Sequence, residues 1–245
     1  MPERNLSRRD FIFGVGALAL GASLGTSNPE ASQNDTYLDI LRKATDIDTL
    51  IHNAEKRQGY DTQPNDAHFL EIDIMSMNGI ATIGHSDTEV TYIPSDLEDL
   101  SDTFKRIVAN GSNVHIDLKD PDTDIGRNVY KILPKGSFIS TPHHEVLDAL
   151  RDMGGDTKLL YTINSSSKKK DFASRIRSGE DFTNCGVSIH YSLLSDSDVK
   201  SYQDSQLYVL AYPANRLDVA AQLCEYGVNG ITSDREDLLS LIAQR

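Results

Sequence analysis

The chain has 245 residues, of which 38% are hydrophobic and 25% are charged, which is typical of a globular protein and excludes a disordered one. This length suffices for one α/β barrel or for two small domains. The 37 acidic residues outnumber the 24 basic ones, so the net charge is −13 and duplex nucleic acid would be repelled. The two cysteines, Cys185 and Cys224, exclude a disulfide framework and a zinc site built from cysteines.

An apolar segment that follows paired arginines lies near the start of the sequence. Residues 7–24 read S-R-R-D-F-I-F-G-V-G-A-L-A-L-G-A-S-L, which resembles a twin-arginine export signal. The apolar run of about 14 residues is short for a spanning helix, and the alternative is a buried N-terminal helix. The polar residues 25–36 are interpreted as a linker. We therefore predict a signal and linker over residues 1–36 and a single domain over residues 37–245.

The export signal also predicts where the protein acts. We expect export by the twin-arginine route to the outside of the cell or to its surface, with membrane proximity through the signal. Such a signal on an acidic chain resembles proteins of salt-loving archaea, in which high salt screens like charges.

From residue 37 onward, strand patterns alternate with helix patterns. Strands are predicted at residues 49–51, 69–75, 114–118, 137–140, 158–163, 186–190, 207–211 and 230–232. Helices are predicted at residues 37–43, 144–153, 169–177, 195–202, 216–226 and 237–243. Eight strands in alternation with helices predict a parallel (β/α)₈ TIM barrel.

Two of these strands place acidic side chains on one face. Glu71 and Asp73 alternate with apolar residues in F-L-E-I-D-I-M, and Asp117 does so in V-H-I-D-L-K. Taken alone, each strand also fits a sheet with one face in water. In a barrel, the three carboxylates would converge, and like charges so close require a cation. A hard divalent cation with oxygen ligands, assisted by Lys119, meets that need.

Histidines stand where acid–base groups would be needed. His52 ends the first predicted strand, and His85 follows the second after an Asn78-Gly79 turn. Cleavage of a phosphodiester would use one histidine as nucleophile or base and the other to protonate the leaving oxygen. His115 and His190 either point into the barrel or are hydrogen-bonded core histidines. His143 and His144 begin a predicted helix, where a solvated surface position is expected.

Four short motifs, by their order and spacing, resemble the glycerophosphodiester phosphodiesterase superfamily. They are I-H-N at 51–53, E-I-D at 71–73, G-H-S-D at 84–87 and H-I-D-L-K at 115–119. The run G-V-N-G-I-T-S-D-R-E-D-L at 227–238 is similar to that family's last strand and loop. The resemblance implies a TIM-barrel phosphoric diester hydrolase that uses Mg²⁺ or Ca²⁺.

The resemblance also implies roles for individual residues. The catalytic pair would be His52 and His85. The metal ligands would be Glu71, Asp73 and Asp117, and the substrate contacts would be Lys119, Asn53 and Tyr212. The implied partner is a small-molecule phosphodiester or a lipid headgroup, and we expect a monomer.

The sequence departs from the family pattern at three positions. Asn53 follows His52 where the family has an arginine, Asp117 replaces a common glutamate, and Tyr212 stands where many relatives have tryptophan. Aspartate followed two residues later by lysine is similar to sphingomyelinase D-like phospholipases and to menorin-like proteins. Two alternatives to the hydrolase therefore stay open. One is a non-catalytic, menorin-like barrel that binds a ligand or partner, and the other is a sphingomyelinase D-like lyase that forms a cyclic phosphate.

Overall fold

The computed structural model describes residues 29–52, 68–86 and 88–243. Its strands are β1 (Asp48–Ile51), β2 (Phe69–Met77), β3 (Ile80–Gly84), β4 (Val90–Tyr92), β5 (Asn113–Leu118), β6 (Phe138–Thr141), β7 (Lys158–Ile163), β8 (Cys185–His190), β9 (Tyr208–Tyr212) and β10 (Gly230–Ser233). Its helices are α1 (Pro29–Lys43), α2 (Leu97–Ala109), α3 (Thr123–Ile132), α4 (His144–Arg151), α5 (Ser166–Arg177), α6 (Asp196–Asp204), α7 (Leu217–Tyr226) and α8 (Glu236–Ala243). None of these helices combines the length and apolar character required to cross a bilayer.

Eight parallel strands close into a barrel at β1. Ile51 of β1 is in register with Ser233 of β10 on one side and with Leu70 of β2 on the other. Around the ring, β2 is followed by β5, β6, β7, β8, β9 and β10. The predicted (β/α)₈ barrel is confirmed, and each predicted strand matches a barrel strand to within two residues at either end.

A β-hairpin projects from the C-terminal end of β2. Met77 pairs with Ile80, so the connecting turn is Asn78-Gly79, as the sequence predicts. Both turn residues have positive φ, 53° and 77°, as a type I′ hairpin turn requires. The strands β3 and β4 were not predicted from the sequence. They return the chain to the barrel mouth and thereby determine where His85 lies.

Three helices differ from the sequence prediction. Neither α2 nor α3 was predicted from the sequence, although α2 buries Leu100, Phe104 and Ile107 at helical spacing. α1 begins at Pro29, so residues 29–36 of the predicted linker are helical. The apolar pattern of α1 is confined to its second half, where Leu41 is buried and the helix lies against α7 and α8. Once this half is anchored, helix propagation extends it through polar residues.

A layer of apolar side chains closes the N-terminal end of the barrel interior. Leu50, Phe69, Phe138, Leu160 and Leu210 form this layer, and the rings of Phe69 and Phe138 stack with centroids 4.2 Å apart. Each such buried side chain contributes roughly 1.5–3 kcal/mol of transfer free energy. Among the described residues, the interior is therefore open at the C-terminal ends of the strands, where TIM barrels place their active sites.

Candidate active site

Three carboxylates from two neighbouring strands lie together at the mouth of the barrel. Glu71 and Asp73 are on β2, Asp117 is on β5, and the register places Asp73 beside Asp117. One oxygen from each of the three carboxylates lies within 4.8 Å of the other two. Glu71 and Asp73 are buried, and Asp117 is partly exposed. They converge because alternate residues face the barrel interior, while the apolar residues between them pack under the helices.

Lys119, just beyond the end of β5, supplies one positive charge to this cluster. Its Nζ lies 2.8 Å from Asp73 Oδ1 and also contacts Asp117 Oδ2. Burial opposes the charged ammonium, but Asp117 and Asp73 outweigh it and raise the pKa of Lys119. Burial raises the pKa of Asp117. The negative charges of Glu71 and Asp73 raise this pKa further, although the Lys119 ammonium acts in the opposite direction. One ammonium thus compensates the three acids only in part.

The carboxylate cluster fits a hard divalent cation. Carboxylate oxygens are the ligands that Mg²⁺ and Ca²⁺ prefer, and Glu71, Asp73 and Asp117 bring them within reach of one ion. The uncompensated negative charge favours the same occupant. The three residues predicted as metal ligands are therefore brought together by the fold.

His52 lies at the seam where the barrel closes. Its Nδ1 is 2.9 Å from Asp234 Oδ1, and its Nε2 is 3.8 Å from Glu71 Oε1. Burial lowers the pKa of His52, but Glu71 and Asp234 outweigh burial and raise it. Asn215 holds Asp234 in place, because its Nδ2 donates to Asp234 Oδ2 over 2.5 Å and its Oδ1 accepts from the Asp234 backbone N–H.

Asp234 and Asn215 were not among the predicted site residues. The sequence carried one signal for Asp234, because it lies in the S-D-R-E-D-L run that contributes to the family resemblance. Their contact with His52 depends on closure of the barrel, since β10 and the loop after β9 are distant from β1 in the sequence.

His85 occupies the base of the projecting hairpin. Its Nδ1 lies 2.7 Å from Asp73 Oδ2, and 48% of its side chain is exposed. Asp73 therefore contacts His85 through one oxygen and Lys119 through the other. Each predicted catalytic histidine thus has its Nδ1 held by a carboxylate, an arrangement that orients an imidazole for proton transfer or nucleophilic attack.

A cavity of about 260 Å³ brings these groups into one space. The two histidines, Glu71, Asp117 and Lys119 line one part of it. Across the barrel, β8 and β9 contribute Ser188 and Tyr212. The pKa of the Tyr212 phenol is raised by its burial, with further contributions from Asp117 and Glu71. Tyr212, predicted to contact substrate, therefore faces the same cavity as the carboxylates.

Two hydroxyl groups in the cavity wall have no hydrogen-bond partner among the described residues. They belong to Thr162 on β7 and Thr232 on β10, which are 8% and 1% exposed. A buried hydroxyl without a partner is costly, so such groups are suited to contact a bound molecule. With Ser188 they form a polar wall that can donate and accept hydrogen bonds.

Positive charge in the cavity is limited. Among the described lining residues, Lys119 is the one lysine or arginine. Asn53, predicted to contact substrate at the position of the family arginine, lies outside the described residues. The export signal over residues 7–24 and Asp87 of the G-H-S-D motif lie outside them as well.

The other histidines occupy different environments. His115 is buried in the barrel interior, and His190 lies at the end of β8 with its Nδ1 2.8 Å from Ser192 Oγ. His143 and His144, expected at the solvated surface, are both partly exposed, and each also makes a contact within the protein. His143 Nε2 is 3.0 Å from the backbone oxygen of Lys119, and His144 packs edge-on against Tyr161 with centroids 5.1 Å apart.

The sequence matches no protein-family model and no curated protein. Solved structures, in contrast, resemble its fold. A phosphodiesterase from Oleispira antarctica, in complex with the product sn-glycerol-3-phosphate, aligns with a TM-score of 0.59 at 17% identity, covering 80% of this chain and 96% of that one. A glycerophosphodiester phosphodiesterase from Parabacteroides distasonis aligns with a TM-score of 0.59 at 14% identity, covering 81% of this chain and 97% of that one. Another, from Thermotoga maritima, aligns with a TM-score of 0.58 at 17% identity, covering 78% of this chain and 96% of that one.

A 7,8-dihydropteroate synthase from Vibrio fischeri also aligns, with a TM-score of 0.50 at 10% identity, covering 80% of this chain and 90% of that one. The barrel alone therefore does not determine the activity, which has to be argued from the site. At these identities, the comparisons show that the chain has the TIM-barrel fold of the glycerophosphodiester phosphodiesterase structures.

Proposed function

We propose that this protein is a metal-dependent phosphodiesterase that cleaves a P–O bond of a glycerophosphodiester or a phospholipid headgroup. The observation that carries the proposal is one cavity in which two carboxylate-held histidines flank a cluster of three carboxylates. The phosphodiesterase structures with the same fold support it.

Glu71, Asp73 and Asp117 would hold the cation, and Mg²⁺ and Ca²⁺ are the candidates because both prefer oxygen ligands. A divalent cation bound there would offset negative charge on the phosphate oxygens. Lys119 is the residue positioned to contact a non-bridging phosphate oxygen, since its ammonium already lies beside Asp73 and Asp117.

The histidines supply nucleophilic or acid–base chemistry. Asp234 contacts Nδ1 of His52 and Asp73 contacts Nδ1 of His85, and in the proposed reaction each ring would act on the substrate through Nε2. One histidine attacks phosphorus or activates the attacking oxygen, and the other protonates the leaving oxygen. Asp234 and Asn215 act as positioning residues for His52.

The cavity favours a small substrate. At about 260 Å³ it accommodates a phosphodiester headgroup, and the net charge of −13 disfavours a nucleic acid polymer. Asn53 and Tyr212 are proposed to contact the substrate, with Tyr212 in the cavity wall. From the N-terminal sequence and the composition, we also propose that the protein is exported, that it is a monomer, and that it acts outside the cell or at its surface.

Two alternatives have specific support. The missing arginine at Asn53 favours a non-catalytic, menorin-like barrel that binds a ligand or partner at this site. The hydroxyls of Thr162 and Thr232, which have no partner within the described part of the chain, favour a sphingomyelinase D-like lyase, because they could orient a substrate hydroxyl for attack on its own phosphorus. In that reaction the attacking hydroxyl oxygen forms a new P–O bond and passes its proton to one histidine, while the P–O bond to the leaving alcohol breaks and that alcohol takes a proton from the other histidine.

The test is an assay of glycerophosphodiesters, lysophospholipids and sphingomyelin in high salt with Mg²⁺ or Ca²⁺. Phosphorus NMR of the products separates a phosphomonoester, expected for the hydrolase, from the cyclic phosphate of the lyase. His52→Ala and His85→Ala should each abolish turnover without unfolding the barrel. Metal binding without turnover of any substrate would favour the non-catalytic barrel, and turnover retained in both variants would refute the assigned histidine roles.

A further inference from the structure

His115 is the fully buried histidine among the described residues, with 1% of its surface exposed. It lies on β5, in register with Glu71 on β2 and two residues before Asp117. Neither its place in the sequence nor the proposed chemistry assigns it a role. Its position between two of the three clustered carboxylates indicates one.

A directed chain of hydrogen bonds joins His115 to Asp117 through Ser140. Ser140 Oγ donates to Asp117 Oδ1 over 2.9 Å, because an ionised carboxylate can only accept. This uses the single hydroxyl proton of Ser140. The contact of 2.9 Å between Ser140 Oγ and His115 Nε2 therefore has the imidazole N–H as donor. On the other side of the ring, His115 Nδ1 lies 3.7 Å from Glu71 Oε2.

The two oxygens of Asp117 consequently have different partners. Oδ1 is held by Ser140, whereas Oδ2 contacts Lys119 on the side of Asp73. A carboxylate without such support would rotate, and repulsion within the cluster would drive it away from Glu71. The hydrogen bond from Ser140, whose hydroxyl is itself held by the buried His115 ring, opposes both movements of Asp117.

We propose that His115 and Ser140 form a positioning pair that fixes Asp117 in the orientation required to bind a divalent cation together with Glu71 and Asp73. This proposal rests on the proposed metal-dependent function. Hydrogen-bonded supports of metal ligands typically contribute about 10- to 100-fold to metal affinity. We expect a loss of that size when the support is removed.

The experiment measures Mn²⁺ binding by electron paramagnetic resonance, together with thermal unfolding in EDTA, on the full chain without substrate. His115→Phe keeps a ring but removes its N–H, and Ser140→Ala breaks the chain at its centre. Both should weaken Mn²⁺ binding by about 10- to 100-fold. His115→Gln, whose amide can donate to Ser140, should recover most of the affinity.

His144→Phe is the matched control, because this histidine packs against Tyr161 away from the cavity. It should bind Mn²⁺ as the wild type does. Wild-type affinity in both His115→Phe and Ser140→Ala would overturn the positioning pair while leaving the metal site intact. Absence of Mn²⁺ binding in the wild type would overturn the metal site and the positioning pair together. If His115→Phe fails to fold in EDTA, the Mn²⁺ affinity of Ser140→Ala decides whether the positioning pair exists, since this variant removes only a hydroxyl.

Discussion

His52 Nδ1 lies 2.9 Å from Asp234 Oδ1, although 182 residues separate the two in the sequence. The contact forms because β1 pairs with β10 and closes the barrel, which brings the end of the first strand beside the loop that follows the last. Asn215 fixes Asp234 with both atoms of its side-chain amide, because Nδ2 donates to the Asp234 carboxylate and Oδ1 accepts from the Asp234 backbone N–H. Orientation of a proposed catalytic histidine therefore depends directly on barrel closure.

Asp234→Ala should lower kcat by about 10²-fold, the lower end of what a positioned acid or base contributes, because His52 loses the group that orients its ring. KM should change little, since Lys119 and the proposed metal ligands are untouched. Steady-state kinetics on the best substrate of the phosphodiester panel provides the measurement. Asp237→Ala is the control, because this exposed carboxylate nearby pairs with Arg235 and not with His52. Equal kcat values in the two variants would contradict the positioning role of Asp234.

The barrel strands were predictable because each carries a short apolar or alternating run bounded by polar residues. The carboxylates at Glu71, Asp73 and Asp117 were found for the same reason, since a period of two assigns them to one face. The hairpin strands β3 and β4 were not found. Within the described ranges they pair with β2 and with each other, outside the ring, and I-A-T-I-G lacks an alternating pattern.

The supporting contacts of the site were harder to predict. Asp234 meets His52 across the β1–β10 seam, and Ser140 meets Asp117 through the pairing of β6 with β5, so both contacts depend on strand pairing. No local pattern distinguishes such a polar residue from one that faces solvent. His115 was recognised as a candidate for the interior, but its hydrogen bond to Ser140 follows only from the register of β5 and β6.

The hairpin turn should matter for activity as well as for stability. Gly79 has φ of 77°, so Gly79→Ala places a side chain in a left-handed conformation and should destabilise the fold by about 1–2 kcal/mol. Because this hairpin carries His85, the variant should also lower kcat. Gly154→Ala is a matched control with φ of 67°; in both glycines an added Cβ meets no atom within 4 Å.

For both glycine variants, chemical denaturation measures the unfolding free energy and steady-state kinetics measures kcat. Similar losses of unfolding free energy are expected, with a loss of kcat only in Gly79→Ala. A loss of kcat in both would show that destabilisation alone accounts for the effect.

Asp48, at the N-terminal end of the barrel, should make stability depend on pH. Burial would raise the pKa of Asp48, but His68, Tyr208 and Lys158 outweigh it and lower the pKa below the ordinary value of 3.8. A carboxyl whose pKa is lower in the folded state stabilises the fold above its ordinary pKa, and this contribution is lost as pH falls through the folded-state pKa. Asp48→Asn should therefore be less stable than the wild type at neutral pH.

Urea unfolding of both proteins between neutral pH and about pH 3 measures this difference. The gap in unfolding free energy should narrow as the solution becomes acidic. Asp102→Asn, an exposed change on α2, is the control and should alter stability by less than about 0.5 kcal/mol across the range. A gap for Asp48→Asn that is constant with pH would contradict a titration effect.

Thr232 should bind the hydroxyl-bearing part of the substrate. Its Oγ1 is buried in the cavity wall without a hydrogen-bond partner among the described residues, so a substrate hydroxyl would gain a contact there at little cost. Thr232→Val preserves the shape and removes the hydroxyl. We expect KM for a glycerol-containing substrate to rise up to about 10-fold, the value of one hydrogen bond.

Thr103→Val is the matched control for this change, because Thr103 is equally buried but its hydroxyl donates to the Asp99 backbone oxygen within α2. It should leave KM unchanged. Comparing a glycerol-containing substrate with one whose corresponding hydroxyl is replaced by hydrogen tests the contact directly. The substrate that lacks the hydroxyl should lose affinity for the wild type, whereas Thr232→Val should bind the two substrates nearly alike. If Thr232→Val still discriminates between them as strongly as the wild type does, recognition of that hydroxyl lies elsewhere in the cavity.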